Sequence, residues 1–244
     1  MYNSLRVMNF SMWPLPRMRD ELVTIVINST HLSLGIIKKN FSSNAPFMLS
    51  IYRSIPIQYS VHKKTIYNAK FLETHIHSFI KTYGLEDAFF SICIGGEQID
   101  ERLVMLHTTL PTHDDFSYFK LHTLAWDYCY LFPHERGEFV FSISGIQQEL
   151  LLQYQLLILS LGINVVTLTT QFNSLFSLYR YMKGSAFRQA SLAQDMYMFE
   201  NRFERYFTTE MCNRIVQTMH PVDQEILLAM IGLYCMEKGN NEKN

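Results

Sequence analysis

The chain has 244 residues, enough for one large domain or two small ones around a shared core. Hydrophobic residues make up 48% and charged residues 18%, which excludes disorder over most of the length. Lys+Arg number 21 and Asp+Glu 22, so no basic excess points to nucleic acid or to an anionic membrane surface.

Residues 1–20 carry Arg6, Arg17, Arg19 and two prolines without a continuous apolar region, and read as a lead-in rather than a signal peptide. Met8, Met12 or Met18 could equally be the start. Val23 to Asn28 is apolar and β-branched, as in a buried strand. Ser29 to His31 is a turn, Leu32 to Lys38 a second strand and Phe47 to Tyr52 a third, which predicts three antiparallel strands. A helix is expected over 68–83, where Leu72, Ile76, Phe79, Ile80 and Tyr83 make one stripe and Gly84 stops it. Ala88 to Ile94 is a buried strand leading to Gly95-Gly96, and Leu103 to Leu106 a short one closed by Pro111.

Thr112 opens a predicted helix with Asp114 and Asp115 in its first turn. Trp126 to Phe132 and Glu138 to Ser144 form a hairpin across the turn PHERG. Gln147 to Leu161 is a strongly apolar helix stopped by Gly162, and Ile163 to Leu168 is a strand. Thr170 caps a helix over 171–183 with Phe172, Leu175, Phe176, Tyr179 and Met182 inward. Residues 200–219 are expected to be helical. Pro221 suits the first turn of a last helix, whose buried side is Ile226, Leu227, Met230, Ile231 and Tyr234. Residues 239–244 are a mobile tail. The longest apolar-rich stretch, LLLQYQLLILSLGINVV, is broken by Gln153, Gln155, Ser160 and Asn164, so no direct membrane insertion is expected.

Candidate chemistry is sparse. Cys93, Cys129, Cys212 and Cys235 are far apart, as expected of reduced buried thiols rather than a zinc or disulfide framework. His75 and His77, two apart on a helix, point to different sides and do not make a metal pair. His113, Asp114 and Asp115 read as a cap with dipole-favouring charges. Gly95-Gly96 lacks the GxxxxGK[ST] pattern and reads as a strand-exit turn. With no G-x-S-x-G or H-E-x-x-H pattern, no catalytic set and no metal or cofactor site is expected.

The element order is three strands, helix, strand, an inserted α/β unit, helix, strand, helix. In that order VTIVINSTHLSLGIIKK, FFSICIGGEQIDERLVMLHTTLP, EFVFSISGIQQELLLQYQLLILSLGINVVTL and EILLAMIGLYC resemble successive parts of the PilM-type pilus-assembly proteins of the actin-like superfamily. The resemblance spans roughly 21–238. It implies an α/β, truncated actin-like (ribonuclease H-like) domain with an inserted small subdomain at about 97–146.

An opening Asp-Ile-Gly turn in such proteins places a metal-bound water and brings backbone amides to phosphate. Asn28, Ser29 and Thr30 stand at those positions here, a degenerate phosphate turn. The stretch after Gly184 lacks a second strand-turn-strand, so the second lobe and its phosphate loop are missing. The resemblance therefore implies a non-catalytic cytosolic scaffold, peripheral at the inner membrane through a protein partner. It would serve a type IV pilus or a related secretion or competence machine. The implied partner is the short N-terminal peptide of a bitopic, PilN-like inner-membrane protein, held between the main and inserted subdomains. Other pilus-assembly proteins are further candidates, and nucleic acid is not. Along the inserted hairpin Tyr128, Tyr130, Phe132, Phe139 and Phe141 alternate, which leaves one aromatic face free for that partner or both faces covered. The alternative function is a degenerate ATP-binding actin-like ATPase.

Overall fold

A computed structural model describes residues 21–40, 45–57, 61–62, 65–112, 114–116, 124–134, 137–183, 216–218 and 222–241. β1 (Glu21–Ile27), β2 (His31–Lys39) and β3 (Phe47–Pro56) form an antiparallel meander. A small hairpin of β4 (Val61–His62) and β5 (Thr65–Ile66), not expected from the sequence, leads into α1 (Ala69–Tyr83). β6 (Phe89–Ile94) returns parallel to β1, and after the insert and α2 (Gln148–Leu161), β10 (Asn164–Thr170) pairs parallel to β6. The six-stranded sheet has the order β10-β6-β1-β2-β3-β11, three antiparallel strands with two parallel ones added beyond the first, as the actin-like resemblance implies, and a short strand, β11 (Val216–Thr218), beside β3.

Helices cover both faces, which explains why β1 reads as an unbroken apolar run rather than an alternating one. Val23, Ile25 and Ile27 pack with Leu72, Ile76 and Phe79 of α1 and with Leu150, Tyr154 and Leu157 of α2. Leu22 and Val26 face the other way, toward α3 (Gln171–Lys183) and α4 (Gln224–Asn241). At the helix ends Thr170, Gly84 and Gly162 act as predicted, while Asn68, expected inside the first helix, is its cap. Asn68 accepts the Phe71 amide at 3.0 Å, Thr170 accepts the Asn173 amide at 3.3 Å, and Gly84 and Gly162 end α1 and α2 in the left-handed conformation.

α4 lies close on the sheet because the strands below it carry small residues. Thr24, Ser33 and Ser91 are fully buried, and a side chain on Gly35 would come within 3.0 Å of Met230 Sδ. The crossing of α3 and α4 is closer still. A Cβ on Gly232 would overlap the Ser174 carbonyl, and Ser174 Oγ donates to the Ala229 carbonyl at 2.5 Å. Glycine is therefore required at position 232 for packing, not for its backbone angles.

Between β6 and α2 the chain builds a separate antiparallel sheet of β7 (Ile99–Leu106), β8 (Leu124–Pro133) and β9 (Phe139–Gln147), in the order β7-β9-β8. Its strands run longer than the sequence suggests. The helix expected from Thr112 is a single 3-10 turn over 114–116 among the described residues. Asp115 ties that turn by accepting from the Thr112 amide at 2.6 Å and hydroxyl at 3.0 Å.

Three further expectations are corrected. Within the segment read as helical over 200–219, Val216–Thr218 is a strand, β11, paired in parallel with β3; the rest of that segment lies outside the described residues. The last helix starts at Gln224 rather than at Pro221. Asp223 caps it, accepting from the amides of Glu225 at 3.0 Å and Ile226 at 3.3 Å, a carboxylate serving the first-turn donors directly. Its end runs through residues 239–241, where the sequence predicts a tail.

Candidate functional site

Parallel strands deliver their following loops to one edge of a sheet, and here β1, β6 and β10 bring three loops together at their C-terminal ends. The N-terminus of α4 closes this place from the other side. Two adjoining hollows result. One, about 470 Å³, has Ile99, Phe172, Leu175 and Leu228 as its apolar wall and Glu101, Asp223 and Glu225 as its acidic one. The second, about 500 Å³, is lined by Asn28, Ser29, Thr30 and His31 with Tyr52 and Ser54. Gly96, Gln171, Asp223 and Glu225 border both.

The turn after β1 is closed upon itself. Asn28 Oδ1 accepts from the Thr30 amide at 2.9 Å, the Thr30 hydroxyl at 2.9 Å and the His31 amide at 2.7 Å. The Asn28 amide donates to the His31 carbonyl at 3.1 Å. An Asn in this role fixes a turn, and its side-chain oxygen is fully used inside the turn. Gly96, at φ 71°, lies against the same turn: a Cβ there would stand 3.3 Å from Ser29 Oγ. The Gly95-Gly96 pair is thus a strand exit, followed by a 3-10 turn over Gly96–Gln98.

Gln171, the first residue of α3, occupies the space above Gly95 and donates from Nε2 to Glu225 Oε1. The amide thereby joins β6, α3 and α4 at the centre of the site. Below it Gln98, almost fully buried, donates to the Gly95 carbonyl at 3.3 Å and accepts from the Tyr154 hydroxyl. Burial raises the Tyr154 phenol well above its ordinary value, so this group acts as a fixed donor.

Glu101 comes from the inserted sheet. Its residue is open to the cleft, yet protein crowds its carboxyl, and this desolvation pushes it up to about 7; hydrogen bonds from Thr170, Ser144 and the Phe172 amide pull the other way. Ser144 Oγ donates to it at 3.4 Å. Phe172 lies in the first turn of α3, so Glu101 links the insert to that helix N-terminus. Across the sheet Ser144 stands between Glu101 of β7 and Asp127 of β8, whose carboxyl burial also raises.

The sequence analysis missed Glu101, Gln171, Asp223 and Glu225. No motif marks them, because three separate elements contribute them and only the fold brings them together. Asn28, Ser29 and Thr30 do reach the site. Tyr128, Tyr130, Phe139 and Phe141 do not line either hollow. Tyr128, Tyr130, Phe139 and Phe141 share the face of the inserted sheet turned away from α3. Their ring centroids are 5.6 Å apart for Tyr130 and Phe141 and 5.9 Å for Tyr128 and Phe141. Phe141 is buried in a cluster with Phe116 and Ile143, while Tyr128 is 37% and Tyr130 42% exposed. Phe132 pairs by register with Val140 after a bulge.

The remaining candidates are placed on ordinary duties. His75 meets Phe71 edge to face with centroids 4.3 Å apart, and His77 Nε2 is 3.8 Å from Glu73. Cys93 and Cys235 are buried and Cys129 partly so, none of them disulfide-bonded; Cys212 and His113 lie outside the described residues. Among the described residues no cluster of three or more His, Cys, Asp or Glu could hold a metal, and no helix is long and apolar enough to cross a membrane.

No protein-family model matches the chain, and no curated protein sequence does. Among solved structures, a chain of the PilM-PilN type IV pilus biogenesis complex aligns with 68% of this chain and 52% of its own length, at a TM-score of 0.50 and 14% identity. The cytoplasmic domain of EpsL, an inner membrane component of the type II secretion system of Vibrio cholerae, aligns with 63% of this chain and 57% of its own, at a TM-score of 0.40 and 11% identity. RuvC of Thermus thermophilus aligns with 90% of this chain and 96% of its own, at a TM-score of 0.38 and 8% identity. This chain spans about half the length of the PilM-PilN relative. Taken with the strand order and the inserted sheet, the first of these likenesses gives the chain a PilM-like, actin-like fold.

Proposed function

We propose that the chain is a non-catalytic assembly platform of a type IV pilus or related secretion machine. It captures a short cytoplasmic peptide from a bitopic inner-membrane partner of the PilN kind. The groove between the inserted sheet and α3–α4 is the binding place. The observation that carries this reading is the composition of that groove. Ile99, Phe172, Leu175 and Leu228 offer pockets for apolar side chains, while Glu101, Asp223 and Glu225 form a rim of carboxylates. Such a wall suits a peptide with apolar anchors and basic flanks. The same wall repels phosphate, and the acidic turn residue that would place a metal-bound water is replaced by Asn28, whose side-chain oxygen is used within its own turn.

Likeness to a PilM-PilN complex supports the choice of partner and of machine, and peripheral attachment to the inner membrane through that partner is part of the same proposal. The half-exposed ladder of Tyr128 and Tyr130 is a second contact strip in this scheme, suited to further assembly proteins.

Calorimetric titration tests the proposal. A peptide of the bitopic partner's cytoplasmic N-terminus is expected to bind with an affinity on the order of micromolar, and Leu228→Gln to weaken it roughly tenfold. ATP with Mg²⁺ is expected to give no saturable heat. Tight nucleotide binding that is lost in Asn28→Ala would instead establish the degenerate ATPase. Absence of binding by every such peptide would reject the platform.

A further inference from the structure

The second hollow lies at the turn after β1, where the resemblance puts a phosphate loop, yet its chemistry suits the opposite charge. A phosphate is met by backbone amides or by cations. Here Asn28 Oδ1 takes the amides of Thr30 and His31, and the Ile27 carbonyl takes the Gly95 amide at 2.9 Å. Among the described residues of the lining, Asp223 and Glu225 are carboxylates and His31 is the only basic side chain, its Nδ1 2.9 Å from the Thr30 hydroxyl. Both carboxylates are held in place. Asp223 caps α4 through the amides of Glu225 and Ile226, and Glu225 accepts from Gln171 Nε2. The β3 side is hydroxylic. Fully buried Ser33 has its Oγ 3.4 Å from Ser54 Oγ and 3.5 Å from the Tyr52 hydroxyl, which fixes both at the hollow.

We propose, resting on the platform reading above, that this hollow receives an arginine side chain of the partner peptide whose apolar anchor fills the first hollow. A guanidinium carries five donors in one plane and pairs with a carboxylate through two parallel bonds, which leaves donors for the neighbouring hydroxyls. Acceptors already fixed by the fold bind it without the cost of ordering them. The spacing on the peptide follows from the shared border of Gly96, Gln171, Asp223 and Glu225, which makes the hollows immediate neighbours. Side chains two residues apart on an extended peptide lie on one face about 7 Å from each other. The arginine therefore stands two places from the apolar anchor. Where a phosphate loop would select a nucleotide, this chain selects a cationic residue next to an apolar one.

The probes are short acetylated and amidated peptides with leucine at the centre, alanine and serine elsewhere, and one residue X two places before or after the leucine. X is arginine, citrulline (its neutral isostere) or glutamate, and binding to the full chain is read by fluorescence anisotropy. In one of the two placements the arginine peptide is expected to bind roughly tenfold tighter than the citrulline peptide. Ser54 is exposed and borders only the second hollow, so Ser54→Lys should abolish that preference and make glutamate the favoured X. Leu228 borders only the first hollow, so Leu228→Gln should weaken every peptide alike. Equal binding of the arginine and citrulline peptides, still weakened by Leu228→Gln, would overturn the arginine assignment and leave the platform standing. An arginine preference that survives Ser54→Lys would also overturn it, moving the cation to Glu101 in the first hollow. If no peptide of the set binds, the platform falls and the assignment with it.

Discussion

Glu101 and Asn28 show how single side chains set the character of the site. With its carboxyl at about 7 in the fold, against an ordinary value of 4.5, Glu101 binds its proton more strongly in the folded than in the unfolded chain. Between pH 4.5 and 7 the folded state therefore holds more protons, and stability falls as pH rises through that window. Glu101→Gln should remove this decline, leaving the variant more stable than the parent above pH 7 by about 1 kcal/mol after screening at the cleft mouth; melting temperatures taken from pH 4 to 8 read the difference. A cationic peptide favours the ionised carboxyl, so its affinity should rise as pH passes 7 in the parent and stay flat in the variant. Asn28→Ala removes the acceptor of three hydrogen bonds that hold the β1–β2 turn and is expected to cost about 1–2 kcal/mol in urea unfolding. A polar loop with no structural duty would show almost none of that loss.

At the scale of elements, what the sequence could reveal depended on how local the cause was. The three opening strands, α1, α2 and α3 follow from period and punctuation, because Asn68, Gly84, Gly162 and Thr170 act on amides or backbone angles within four residues. β11 has no such local signature. It exists because β3 presents an open edge to Val216–Thr218, which lies some 160 residues further along. The groove was invisible for the same reason: Glu101, Gln171 and Glu225 meet only through the arrangement of β7, α3 and α4. The aromatic alternation of the insert was legible, but not which way that face turns, since this depends on how the inserted sheet packs on α3. The tightest of these packings gives a sharp expectation. Gly232→Ala improves helix propensity by about 1 kcal/mol, yet its methyl meets the Ser174 carbonyl, so the net effect should be destabilisation by about 2 kcal/mol or more, measured by denaturant unfolding. A gain in stability would mean that α3 and α4 stand further apart than described.

The described residues form a six-stranded sheet clad on both faces, with the β4–β5 hairpin and the three-stranded inserted sheet beside it. The binding surface lies between the main and inserted bodies rather than within either, so the relative placement of insert and main sheet governs affinity. The packing of α4 adds a constraint of timing. Met230, Ile231 and Leu233 lie over strands laid down well over 100 residues earlier, together with α3 and residues of the inserted sheet such as Leu131 and Val140. A nascent chain emerging from the ribosome thus carries β1, β2 and β6 without this cover until α4 is released. Chaperone dependence during synthesis, and intolerance of premature stop codons upstream of Cys235, are the cellular marks of strands that wait for a helix made long after them.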